Sequence, residues 1–191
     1  MASDFPILLF ETPQAWADWL EAQPATGAGV WLKMAKKETG IPSINYAEAL
    51  DVALCYGWID SQKKGLDAQF WLQKFTPRRP ASIWSKVNRE KAEALIASGL
   101  MKASGLREVE TAKLDGRWEA AYDSQSGISL PADFQAALNR NADAQAFFDT
   151  LKSAERYSFL FRIQTAKKPE TRARNIKKFI DMLARREKIH G

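Results

Sequence analysis

The chain has almost none of the residues on which many enzymes and metalloproteins are built. Cys55 is its single cysteine, and His190 its single histidine. One cysteine excludes an intrachain disulfide and any cysteine-based metal site formed within one chain. One histidine leaves no histidine-rich metal cluster and no histidine-centred acid–base machinery. Long apolar runs are also missing. Residues 7–10 and 50–56 are the longest candidates, far short of the roughly 20 residues that cross a bilayer. The opening residues MASDFPILLF show no basic start, no apolar signal core and no small-residue cleavage site, so the expectation is an untargeted, cytoplasmic chain. No phosphate-cradling glycine loop, HExxH or GxSxG occurs, which removes the commonest enzyme signatures. There is no internal repeat and no low-complexity tract. Any catalyst here would have to work through carboxylate, Lys, Arg, Tyr or Ser.

What remains is ordinary globular material. The hydrophobic fraction is 46% of 191 residues, enough for a core in one domain or two small ones. The formal net charge of +5 is unevenly spread. Residues 1–60 carry −5, residues 62–91 carry +6, and residues 162–188 carry +7. Two basic blocks among acidic stretches say more than the net value.

Residues 56–88, YGWIDSQKKGLDAQFWLQKFTPRRPASIWSKVN, interleave three tryptophans with Lys63, Lys64, Lys74, Arg78, Arg79 and Lys86. Cations among aromatic faces suit an anionic, planar or phosphorylated partner. The same pattern also fits a twisted hairpin whose aromatics fill a core and whose lysines face water. Within it, residues 66–75 read as a strand. Phe70 and Leu72 share one face; Trp71, Gln73 and Phe75 share the other. Two apolar faces indicate an interior strand, or a sheet with a helix on one side and a ligand on the other. Pro77 and Pro80 impose extended backbone around Arg78 and Arg79. Such rigid flanks lower the cost of presenting a guanidinium to phosphate or carboxylate. Alternatively, one arginine pairs with Asp60 or Asp67 to hold the hairpin. Asp60 and Asp67 as an acid–base or cation pair is the weaker reading, and turn formation the stronger.

Elsewhere the patterns are local and clear. Thr12-Pro13 marks a helix start. Val30, Leu32 and Met34 alternate with Trp31, Lys33 and Ala35 as in a strand. Asn45-x-x-Glu48 has the form of a capping box, and a helical stripe through Ala47, Leu50, Leu54 and Trp58 follows, with Cys55 beside it as a buried thiol. Ser82 and Asn88 suit helix N-caps. After Gly99 strand signals stop. Helical patterns run to the end, the last with a stripe of Ile176, Phe179, Ile180 and Leu183. Arg172 heads that stripe, and Arg174, Lys177 and Lys178 lie mainly off it. These four form a possible second basic surface, or a solvated helix face.

Four segments together resemble a known family: EALDVALCYGWIDSQKKGLD, KFTPRRPASIWSKVN, GLMKASGLREVETAKLDGRW and AKKPETRARNIKKF. They are similar to the YdeI/OmpD-associated, or bacteriocin-protection, family, over a span from Trp31 to the last helix. The resemblance implies a role in tolerance of bacteriocins or cationic antimicrobial peptides. It implies no established reaction and carries over no catalytic residues.

The expected fold is α+β: a small antiparallel or mixed sheet with covering helices in residues 1–114, then an all-helical unit in residues 115–191. The expected function is non-enzymatic tolerance through an anionic ligand or acidic partner held in a basic, aromatic-lined cleft of Arg78, Arg79, Trp71, Trp84, Asp60 and Lys63. One alternative is weak, non-sequence-specific nucleic-acid binding. Another is an enzyme acting on a phosphorylated or carboxylated metabolite. No metal and no cofactor is expected, and no transmembrane segment.

Overall fold

The computed structural model describes residues 5–23 and 27–189. His190 lies outside them. Two compact units emerge: Met1–Ile83 with Asn88–Glu119, and Trp84–Val87 with Ala120–Gly191.

The first unit is a four-stranded mixed sheet with helices. Its strands are β1 (Ile7–Leu8), β2 (Val30–Ala35), β3 (Trp58–Gly65) and β4 (Phe70–Pro77), in the order β1-β2-β4-β3. β1 runs parallel to β2; the other pairs are antiparallel. The expected α+β class with a mixed sheet is what the structure has. Helix α1 (Pro13–Glu21) begins where Thr12-Pro13 indicated, with the Thr12 hydroxyl accepting the Ala15 N–H. Helix α2 (Tyr46–Cys55) has the full capping box. Asn45 Oδ1 accepts from Glu48 N at 3.1 Å, and Glu48 Oε2 accepts from Asn45 N at 3.0 Å. Its buried residues are Ala49, Leu50, Ala53, Leu54 and Cys55, so the stripe starts two residues later than the sequence spacing suggested. Ala47 is exposed, and Trp58 already belongs to β3.

Alternation along β2 sends Val30, Leu32 and Met34 inward. There they meet the wall built by α1 and α2. Trp16 is fully buried, donates its indole N–H to the Ala49 carbonyl, and packs its ring 5.7 Å from that of Phe75. β4 lies between β2 and β3 and is buried at Phe70, Leu72, Gln73 and Phe75, on both faces, as its sequence indicated. It starts at Phe70, not Leu66. The Asp67 carboxylate accepts the N–H groups of Gln69 and Phe70, both at 2.8 Å, and turns residues 66–69 into the hairpin connection.

Helices α3 (Lys86–Ala97) and α4 (Ala103–Leu114) follow. Asn88 lies inside α3 and is buried, and so is not its cap. Ser82 instead closes a turn, its hydroxyl accepting the Arg79 N–H. α4 packs on α2 through Gly105, whose Cα faces the Cys55 and Leu54 carbonyls.

The second unit is helical: α5 (Ala132–Leu138), α6 (Ala142–Thr150), α7 (Ser153–Gln164) and α8 (Pro169–Ala184). Phe134, Phe148, Phe159, Ile163, Phe179 and Leu183 fill its core. Residues 84–87 join it through a bridge to Tyr122. There Tyr122 N–H reaches the Trp84 carbonyl and Lys86 N–H the Tyr122 carbonyl, both at 2.9 Å. No helix among the described residues is long and apolar enough to cross a membrane.

A Cβ at position 105 would collide with the Cys55 carbonyl oxygen. Backbone on both sides cannot give way cheaply, so Gly105→Ala is expected to destabilise the first unit by about 2 kcal/mol. Urea denaturation followed by tryptophan fluorescence measures this; a midpoint equal to wild type would contradict the packing.

Candidate anion-binding site

The sequence pointed to the hairpin and its exit loop, and the structure divides those residues. Asp60 and Lys63 in β3 and Trp71 in β4 come together at the start of α2. Asp60 accepts from the Tyr46 hydroxyl at 2.8 Å, Lys63 Nζ lies 4.4 Å from the Trp71 ring centre, and the Tyr46 and Trp71 rings are 6.5 Å apart. Tyr46 did not stand out in the sequence, because it looks like an ordinary first-turn residue of a helix.

Arg78 and Trp84 do not offer the surface that a ligand would need. Arg78 is 6% exposed and Trp84 1%. The Arg78 backbone N–H binds the Gly57 carbonyl at 2.9 Å, and its Nη1 donates to the Ile83 carbonyl at 3.3 Å. Arg117, equally buried, takes the preceding carbonyl, that of Ser82, at 2.8 Å. Its Nε is held by both Asp115 oxygens, at 2.9 and 2.7 Å. Two guanidinium groups thus clamp consecutive carbonyls of the loop that follows Pro80. The loop has too few backbone partners of its own, and arginine supplies several donors in a fixed fork. Asp60 serves Tyr46, and Asp67 the hairpin turn. Arg79 is exposed beside this clamp.

The second basic surface is likewise split. Arg172 binds Asp133 with two hydrogen bonds, at 2.7 and 2.8 Å, and the Ile163 carbonyl with a third. With Lys177 it lines a groove over Ile176 and Ile180. Arg174 and Lys177 border a shallower depression that also contains Asp181 and Glu187. Lys178 borders that depression and also a second, larger space.

That space is a cleft of about 730 Å³ along α8, bounded by the end of α7 and by the chain after α8. Arg162, Lys167, Lys168, Lys178 and Lys188 line it; Phe179, Met182 and Ile189 form its apolar part, and no carboxylate among the described residues lines it. Local structure sets these groups in place. The α7 helix ends at Gln164, with the Thr165 N–H and hydroxyl both on the Phe161 carbonyl. Pro169 starts α8, which confines Lys167 and Lys168 to the short turn between the helices. Asn175 ties the two helices by donating to the Arg162 carbonyl at 3.1 Å, and Arg162 Nη1 is steadied on the Ser158 carbonyl at 2.8 Å. Lys188 is partly neutralised by Glu155 at 2.7 Å. α8 has no side-chain cap, so its first-turn N–H groups add partial positive charge. The signal is in the sequence, in the basic block 162–188 and in AKKPETRARN, but the surface expected from it, Arg172, Arg174, Lys177 and Lys178, shares only Lys178 with the cleft.

The titratable groups elsewhere serve structure. Burial, then Asp51, pushes the Cys55 thiol up, which keeps it from ionising. Burial, then Glu21, pushes the Tyr56 hydroxyl up to about 12. Lys86, 2.6 Å away, and Gln164 hold Asp123 below the usual carboxylate range, and Arg172 does the same for Asp133.

Comparison with known families follows the division of the chain. The helical unit matches the family described as "Bacteriocin-protection, YdeI or OmpD-Associated" over residues 128–186, a span that contains α5 to α8 and most of the basic cleft. The chain belongs to the family described as a domain of unknown function, DUF8412, whose model matches residues 8–108, just over half of its length. The hairpin and the Arg78 loop lie in that second match. No curated protein and no solved structure matches the chain.

Two outcomes follow from this geometry. Arg78→Ala is expected to cost about 2 kcal/mol, since a buried guanidinium and its charge-assisted hydrogen bond to the Ile83 carbonyl are lost. Arg79→Ala should change stability by less than about 0.5 kcal/mol. Equal melting of the two variants would refute the clamp. At neutral pH, Arg172→Gln is expected to lower the stability of the helical unit by about 1 kcal/mol, as for a well-formed surface ion pair. Asp133 titrates below its ordinary 3.8, so its contribution is present above that value and disappears as pH falls through the depressed one. Melting from pH 7 to pH 2 should therefore show the gap between Arg172→Gln and wild type closing below about 3.8. A gap constant across that range would refute the pairing.

Proposed function

We propose that this protein is a non-enzymatic tolerance protein of the YdeI/OmpD-associated type that works by holding an anionic ligand in the α7–α8 cleft. One observation carries the reading: five cations border a space large enough for a small molecule, and no carboxylate among the described residues lines it. Lys167, Lys168 and Lys178 are exposed and form no ion pair among the described residues. Their mutual repulsion is relieved when an anion enters. The apolar base of Phe179, Met182 and Ile189 favours a ligand with a hydrophobic part beside its phosphate or carboxylate, since pockets combine a few charged anchors with apolar walls. The role in protection rests on the description of the family that the helical unit matches.

Isothermal titration calorimetry with inorganic phosphate, pyrophosphate, citrate and an alkyl phosphate tests this. Binding of at least one anion is expected, tighter for the alkyl phosphate than for inorganic phosphate. The double substitution Lys167→Ala and Lys168→Ala should weaken it at least about tenfold, the equivalent of one charge-assisted hydrogen bond. Binding that survives the double substitution unchanged, or no heat with any of the four, would overturn the proposal.

A further inference from the structure

We infer that the outer face of the sheet is a separate binding surface for the phosphodiester backbone of single-stranded nucleic acid. The ladder defines the face. Lys74 lies opposite Trp31, Leu72 opposite Lys33 on one side and Lys64 on the other. Paired residues share a face and successive residues alternate. This is therefore the face away from Phe75 and Val30, which pair on the side where Trp16 packs.

Three lysines lie there against aromatic rings, with Asp67 close enough to Lys33 to feel its charge but not paired with it. Lys33 Nζ sits 3.8 Å from the Phe70 ring centre, and Lys64 Nζ 4.3 Å from that of Trp31. Lys74 Nζ lies 4.2 Å from the ring of Phe5 and 5.9 Å from that of Trp31. None of the three forms an ion pair among the described residues. A ring holds an ammonium in place but leaves its charge uncancelled, unlike a carboxylate. Leu72, between Lys33 and Lys64, is fully buried, as when aliphatic lysine stems lie flat across a sheet. Strand spacing sets the anchors of Lys33 and Lys64 about 10 Å apart, with Lys74 about 7 Å along the central strand. The triangle matches the scale on which phosphates follow one another in an extended strand.

The rings also fix the kind of nucleic acid. Phe5 and Trp31 are half-buried at the border of the lysine triangle. Lys64 and Lys74 lie over these rings, and whatever ring area they leave open can stack only on bases that are unstacked and unpaired. Where a lysine covers a ring, the face meets phosphate first, so recognition is independent of sequence and strongly dependent on salt.

Fluorescence anisotropy with labelled oligo(dT), and with a duplex of equal length, tests the assignment. Three phosphate contacts on a single strand give a slope near −2 in log K against log salt, so affinity for oligo(dT) should fall roughly twentyfold between ~50 and ~200 mM salt. The triple variant Lys33→Gln, Lys64→Gln, Lys74→Gln should lose that slope, while Lys167→Ala with Lys168→Ala should keep it. If the triple variant does not fold by circular dichroism, Lys64→Gln alone, at an exposed site, should reduce the slope by about 0.7. No binding at low salt, tighter binding of the duplex, or loss of the slope in the cleft variant instead would each overturn the inference.

Discussion

Strand β4 has to be covered on both faces, and the first unit is arranged around that requirement. The central strand of a small sheet presents apolar side chains in both directions, and each face needs its own cover. α1 and α2 take the face that carries Phe75, through Trp16. The other face, with Phe70 and Leu72, is covered by long amphipathic side chains whose charged ends remain in water. Charge on that face is thus a by-product of how the core is completed, and the aromatic rings under the lysines belong to core and surface at once.

The helical unit reaches a similar outcome by sorting its charges. Its acids are engaged in local work: Asp133 with Arg172, Asp123 with Lys86 and Gln164, Glu155 with Lys188. The turn between α7 and α8 receives lysines but no acid to match them. The unit carries fourteen lysines and arginines against eight acids, and pairing acids elsewhere concentrates that excess in an electropositive cleft.

Local chemistry was readable in the sequence wherever a few neighbouring residues decide the structure. Thr12-Pro13, Asn45 with Glu48, and the alternation of β2 act within one turn or one strand, and each stands where it was read. The two-faced pattern of β4 was legible for the same reason. What the sequence hid were choices made over long range. A guanidinium between two prolines looks presented to solvent, yet Arg78 turns inward because the loop after it needs a donor that only the fold reveals. Trp84 was placed among ligand-stacking aromatics by spacing alone, and spacing carries no information on depth. The cleft escaped because its cations come from a turn and from residues on either side of two helices, which no periodicity links. Asp67 shows the opposite case: a carboxylate two and three residues before the N–H donors it accepts from moved the start of β4, and that could have been read.

Residues 84–87 count with the helical unit although the chain returns to the first unit for the next thirty-odd residues. The helical unit is therefore discontinuous in sequence. The stretch that matches its family, residues 128–186, omits both sides of the bridge between Ser85 and Tyr122. A gene fragment carrying residues 120–191 alone would leave the Tyr122 N–H and carbonyl without Trp84 and Lys86, and Asp123 without its ammonium partner. Shuffling of this module between proteins is constrained accordingly: the helices travel as one cassette only if the four-residue segment, or something that imitates its backbone, travels with them.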